Sequence, residues 1–217
     1  MGRRVYSLVL SDEVIDAVDR MAYTMNTSRS NLINQVLAEY VSCTTPEKQM
    51  KDIFDSLTQI ISEDEPFLVQ DQGSQAMLSI RSPLQVKYNP TIRYTVELSR
   101  DRSSSVGELR VMTRTQSSEL LDQLQEFFLL YSSIEAVYFS AITRQKPQYE
   151  IGRGKFVRKF VLRQPDCTSE EIGSAIARYI QTVDQALKEY LAVPPSRRRT
   201  AVESEYRRYL QEDPVIV

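Results

Sequence analysis

The 217-residue chain has no histidine at all. That removes the commonest general base and metal ligand, and with it every Ser-His-Asp or Cys-His arrangement. Two cysteines, Cys43 and Cys167, stand far apart. They are too few for a zinc site of their own, and they suit a reduced compartment without a disulfide framework. Glycine is scarce, and Gly152-Arg153-Gly154 is too short to cradle a diphosphate; it reads as a hairpin turn. No apolar run approaches the roughly 18 residues of a membrane span, and no signal-peptide pattern opens the sequence, so a cytoplasmic location is expected. Neither charge is in excess. With 27 Lys and Arg against 29 Asp and Glu, any attraction to nucleic acid has to be local. Carboxylate pairs such as Glu63/Glu65 and Glu170/Glu171 sit at helix ends, where they are expected without any catalysis. These absences lead to the expectation of a protein that is not an enzyme and carries no cofactor or metal.

What is present is a soluble composition, 41% hydrophobic and 26% charged, and long enough for one large or two small domains. The most informative stretch is the first one. Arg4-Val5-Tyr6-Ser7-Leu8-Val9-Leu10 alternates with period two, as a half-buried strand requires, and then gives way to two segments of period 3.6. The first predicted helix carries Val14, Ile15, Val18, Met21, Ala22 and Met25 on one face. The second carries Leu32, Ile33, Val36, Leu37, Tyr40 and Val41. Asn26 suits the left-handed end of the first helix, and Ser28 is a favourable N-cap for the second. A lone strand has no sheet to join, and so short a segment cannot bury two helix faces alone. A second copy of the chain is the simplest partner for both, and a homodimer is expected, with a tetramer as the larger alternative.

In this pattern the segment resembles the ribbon-helix-helix family of DNA-binding proteins, the Arc/MetJ/CopG-like group. Tyr6, Leu8 and Leu10 on the strand, Ser11-Asp12-Glu13-Val14 at the start of helix one and Thr27-Ser28-Arg29-Ser30 at the start of helix two carry the resemblance, over roughly residues 3 to 43. The resemblance implies an antiparallel two-stranded ribbon, exchanged between two subunits, that enters the major groove of double-stranded DNA. Val5, Ser7 and Val9 would then face the bases, and Arg3, Arg4, Ser28 and Arg29 the phosphates. The pattern departs from the family in its outward strand residues. Two valines and one serine offer no bidentate base reader. With Arg3, Arg4, Arg20 and Arg29 against Asp12, Glu13, Asp16, Asp19 and Glu39, nonspecific attraction to DNA would be weak. Two functions are therefore open: a homodimeric transcriptional regulator, in the role of a repressor, or an interaction module such as an antitoxin or assembly adaptor whose ribbon serves dimerisation alone.

A domain boundary is placed between residues 45 and 46. Thr45-Pro46-Glu47 opens a fresh helix to about Ser62, and the remainder reads as an α+β domain with an antiparallel sheet and packed helices, serving oligomerisation, sensing or partner binding. Strands are predicted at Phe67–Gln70, Ala76–Arg81, Thr91–Leu98 and Glu108–Met112, then a helix over Ser117–Glu135. Two more strands are predicted at Ala136–Ile142 and Lys155–Leu162. Thr168-Ser169-Glu170-Glu171 is a capping box for a helix reaching Ala192, whose apolar spacing fits a core helix or a short coiled-coil seam. A last charged helix begins at Ser196. Between residues 144 and 163, Arg153, Lys155, Arg158 and Lys159 interleave with Tyr149, Phe156 and Phe160. Such a mixture can hold an anionic ligand or a nucleic-acid backbone, and it equally suits a solvated edge strand protected by charge.

Overall fold

A computed structural model describes residues 7–41, 45–64, 66–70, 74–86, 89–100, 105–143, 146–163, 166–212 and 215. The chain divides into two compact units, residues 1–48 and 49–217.

The first unit is built on two helices, α1 (Asp12–Thr24) and α2 (Arg29–Tyr40). Their connection is short because its residues supply unusual backbone conformations. Asn26 adopts φ 49°, the left-handed region that asparagine tolerates, and the amide of Thr27 donates back to the Ala22 carbonyl at 2.9 Å. Ser28 then caps α2, its Oγ accepting from the Asn31 amide at 3.2 Å. Ala22 and Leu32 are the buried apolar residues among those described in the two helices. Residues 7–10 form no strand within the single chain, and Arg4, Val5 and Tyr6 lie outside the described residues.

The second unit contains six strands and the remaining helices. Helix α3 (Pro46–Ser62) begins where Thr45 Oγ1 accepts from the Lys48 amide, and Pro46 takes the first helical position, where no amide hydrogen is needed. Strands β1 (Leu68–Gln70), β2 (Met77–Pro83), β3 (Thr91–Leu98), β4 (Gly107–Thr113), β5 (Tyr149–Gly152) and β6 (Lys155–Phe160) form one antiparallel sheet, ordered β1-β2-β3-β4-β6-β5. Helix α4 (Ser118–Thr143) separates the first four strands from the last two; α5 (Ser169–Ala192) and α6 (Pro195–Gln211) follow.

Alternation along the strands gives the sheet one buried face. Ile92, Tyr94, Val96 and Leu98 of β3 are buried, as are Leu109 and Val111 of β4 and Phe156 and Phe160 of β6. Ring contacts tie that face to the helices: Phe156 stacks on Phe128 of α4 at 5.1 Å, and Phe160 meets Tyr179 of α5 edge-on at 5.5 Å. Met50, Ile53, Leu57 and Ile61 bring α3 into the same core, and Tyr206 and Tyr209 bring in α6. The apolar spacing along α5 is answered by a core helix: Ile172, Ile176, Tyr179, Val183, Leu187 and Tyr190 all lie within one hydrophobic cluster. No described helix is long and apolar enough to cross a membrane.

Two expectations are corrected. Ala136–Ile142 is not a strand: α4 runs through it to Thr143. A short, mostly apolar run without Gly or Pro is compatible with either period, and tertiary packing decides. Phe139 is buried beside Arg158, and Tyr138 packs on Tyr206 at 5.8 Å, contacts that continue the buried side of the helix. The partner of β6 is instead Tyr149–Gly152, through a tight turn at Arg153-Gly154 in which Gly154 takes φ 72°. A Cβ there would also come within 2.7 Å of Leu121 Cδ2.

Candidate nucleic-acid interface

The residues expected to meet DNA fall in the first unit. Ser7 and Val9 are exposed, Val9 fully so, with Leu8 and Leu10 also open to solvent. Arg3, Arg4 and Val5 lie outside the described residues. Ser28 stands at the N-terminus of α2, where backbone amides and the helix dipole favour an anion, although its own oxygen is engaged by Asn31. Arg29 is ion-paired with Asp19 of α1, and that pair ties the two helices together. The sequence pattern did not identify Asp19 as a partner, because ten residues separate it from Arg29 and only the tight turn brings them together.

Around this segment the apolar side chains are turned outward. Val14, Ile15, Met21 and Met25 of α1 and Val36, Leu37 and Val41 of α2 are each more than a third exposed. Singly exposed apolar residues are ordinary; seven of them on two short helices are more than a small unit usually leaves open.

The second group, Arg153, Lys155, Arg158 and Lys159, is not brought together as one patch. Arg153, at the β5–β6 turn, reaches α4, donating from Nε to Asp122 Oδ1 at 2.9 Å and from Nη2 to the Ser118 carbonyl. Lys155 pairs with Glu150 at 2.7 Å across the hairpin. Lys159 is exposed, with no ion-pair partner among the described residues. Arg158 is the correction: it is 1% exposed, because period two places it between Phe156 and Phe160 on the helix-covered face of β6.

What surrounds Arg158 explains how a charge survives there. Its Nε and Nη2 donate to the two oxygens of Glu135, each at 3.2 Å, in a bidentate pair. Glu135, also 1% exposed, accepts further hydrogen bonds from Tyr149 Oη at 2.7 Å and Tyr179 Oη at 3.1 Å. The guanidinium lies 5.2 Å from the Phe139 ring centroid and 5.5 Å from that of Tyr149. Burial first, and the Glu135 charge second, push the Tyr149 and Tyr179 phenols well above their ordinary range. These phenols therefore stay protonated donors across the physiological range. Arg158 Nη1 donates to the Lys159 carbonyl, so each nitrogen of the guanidinium and each oxygen of the carboxylate has a partner within the protein. Sequence reading missed Glu135 because it was assigned to the end of a helix; its place five turns into a 26-residue one became clear only with the fold.

A shallow surface groove of about 450 Å³ runs along α6, lined by Thr200, Glu203, Ser204, Arg207, Arg208 and Gln211. Both its arginines are engaged, Arg207 with Glu203 and Tyr138 Oη, and Arg208 with Glu205. Among the described residues, no cluster of three or more acidic or sulfur side chains is arranged to hold a metal ion. The chain matches no family model, no curated protein and no solved structure.

Proposed function

We propose that the protein is a homodimeric, sequence-specific DNA-binding regulator. Two copies pair residues 4–10 into an antiparallel ribbon that enters the major groove of double-stranded DNA. The observation that carries this reading is the tight α1–turn–α2 unit with its apolar faces left open, preceded by an alternating segment whose inward residues, Leu8 and Leu10, also lack cover. A second copy satisfies all three needs together: a partner strand, a cover for Leu8 and Leu10, and a cover for the two helices. On this reading Val5, Ser7 and Val9 face base edges, Val5 and Val9 offering apolar contact to thymine methyls and Ser7 a hydroxyl. Arg3, Arg4 and the amides at the start of α2 meet phosphates. The second unit serves oligomerisation, sensing or partner binding.

The pairing of Arg29 with Asp19 favours a second reading, in which the ribbon only dimerises and the protein is an interaction module such as an antitoxin or adaptor. A phosphate would have to compete with a carboxylate already in place. One substitution separates the two readings. Ser7→Glu puts a carboxylate against bases and phosphates, and on the regulator reading it abolishes retention of selected genomic DNA fragments in a gel-shift titration. The dimer, measured by light scattering, stays intact. Equal DNA affinity of wild type and variant rejects groove entry and leaves the module reading.

A further inference from the structure

The face of the sheet opposite the helices bears a row of side chains that nothing above uses. Register places Leu68, Arg81, Arg93, Met112 and Lys155 side by side on adjacent strands from β1 to β6. Leu68 is 66% exposed and Met112 44%. Arg81 and Arg93 are direct cross-strand partners, and like charges so placed oppose pairing of the strands. Among the described residues, neither guanidinium has a hydrogen-bond or ion-pair partner. The carboxylates of the same face are committed elsewhere: Glu97 and Glu108 to Arg110, at 3.0 and 2.6 Å, and Glu150 to Lys155. The repulsive pair is thus left without a neutralising group, with an apolar side chain on either side.

We propose that this open sheet face is a docking surface for an acidic segment of a partner protein, whose carboxylates bridge Arg81 and Arg93 while apolar residues cover Leu68 and Met112. The proposal does not rest on the DNA-binding reading of the first unit. Its occupant is chosen by elimination on chemistry. Six strands at about 4.8 Å spacing span roughly 24 Å, twice the ~12 Å major groove, so the face cannot enter duplex DNA. The outward positions of the strands carry no aromatic ring on which an unpaired base could stack. The surface is a sheet rather than a cleft, which does not suit a small anion. Arginine and methionine are among the residues enriched at protein–protein interfaces.

The test uses the full-length protein and three labelled probes: a dodecapeptide of alternating glutamate and leucine, its glutamine counterpart, and a twelve-nucleotide oligothymidine. Fluorescence anisotropy in a salt series reads binding. The acidic peptide is expected to bind most tightly and to weaken as salt rises. It should lose at least tenfold in affinity in Arg81→Gln/Arg93→Gln, with no change in Arg197→Gln on the exposed side of α6. The double variant should melt no lower than wild type, since it relieves a repulsion; if it fails to fold, Arg93→Gln alone should cost at least threefold. Equal binding by wild type and either variant, tighter binding of the oligothymidine, or no binding of the acidic peptide overturns the proposal. So does a change in the oligomeric state of the double variant without a change in peptide affinity, which would assign the face to a second copy of this chain.

Discussion

The two units spend their apolar residues in opposite ways. Residues 49–217 close a core of aliphatic and aromatic side chains around one sheet face and can place a charge pair within it. Residues 1–48 bury Ala22 and Leu32 and leave much of two helix faces, Val14, Ile15, Met21, Val36 and Leu37 among them, open to water. Burying the still exposed part of Leu8, Leu10, Val14, Ile15, Val36 and Leu37 against a second copy would contribute on the order of 1 kcal/mol per side chain. The second unit contains its own stabilising partner groups; the first, on the proposed reading, is half of an interface. Its stability should accordingly depend on protein concentration, and that of the second unit should not.

The contrast is most strongly broken by disturbing the pair that only a closed core can hold. Glu135→Gln leaves the Arg158 guanidinium buried without its counter-charge and should cost about 3–5 kcal/mol in urea unfolding of the second unit. The double change Glu135→Leu/Arg158→Met removes both charges and should recover most of that loss. A cost in Glu135→Gln below 1 kcal/mol would mean that water reaches the pair, contrary to its 1% exposure. The next largest effect belongs to the first unit. Leu37→Glu, at an exposed position in the single chain, should cost a monomer almost nothing but the dimer about 2–3 kcal/mol, seen by sedimentation as dissociation at micromolar concentration. Unchanged sedimentation would remove α2 from the interface.

The same contrast shows which parts of the molecule were legible in the sequence. Wherever a local rule and the tertiary context agree, the residues announced the element: Thr91–Leu98 alternates and is β3, and Asn26 with Ser28 marks the turn and cap between α1 and α2. Local rules failed where long-range contact decided. Nothing in Ala136–Ile142 distinguishes a strand from the last turns of a helix until Phe139 has Arg158 to cover. Arg158 itself was grouped with its basic neighbours because charge predicts exposure; it is buried because Glu135, 23 residues earlier, meets it across the α4–β6 contact. The Arg81–Arg93 pair could not be seen without a register, since β2 and β3 must align before the two side chains become neighbours. The candidate DNA-facing residues rest on the pattern of a segment whose proposed partner is another molecule, and there the sequence carries as much as a single chain can.

The smallest predicted effect compares the two helix caps, one in each unit. Thr168 Oγ1 accepts from the Glu171 amide at 3.2 Å, while the Glu171 carboxylate accepts from the Thr168 amide at 2.7 Å, a reciprocal box; Ser28 caps α2 alone, because the third helical residue there is Asn31. Thr168→Ala and Ser28→Ala should each remove about 1 kcal/mol from their own unit at neutral pH. The two should part on acidification. The Thr168 backbone amide, and then its hydroxyl, hold the Glu171 carboxyl below the usual glutamate range. A carboxyl with a depressed folded pKa contributes stability above its unfolded value, near 4.3, and loses it as pH falls through the folded value. Because the Thr168 hydroxyl supplies part of that depression, the deficit of Thr168→Ala should shrink below about pH 4.3. The deficit of Ser28→Ala should stay level over the same range, since no ionising group takes part in its cap. Parallel acid profiles for the two variants would mean that the box at α5 acts as a plain cap, its carboxylate solvated rather than bonded to the helix start.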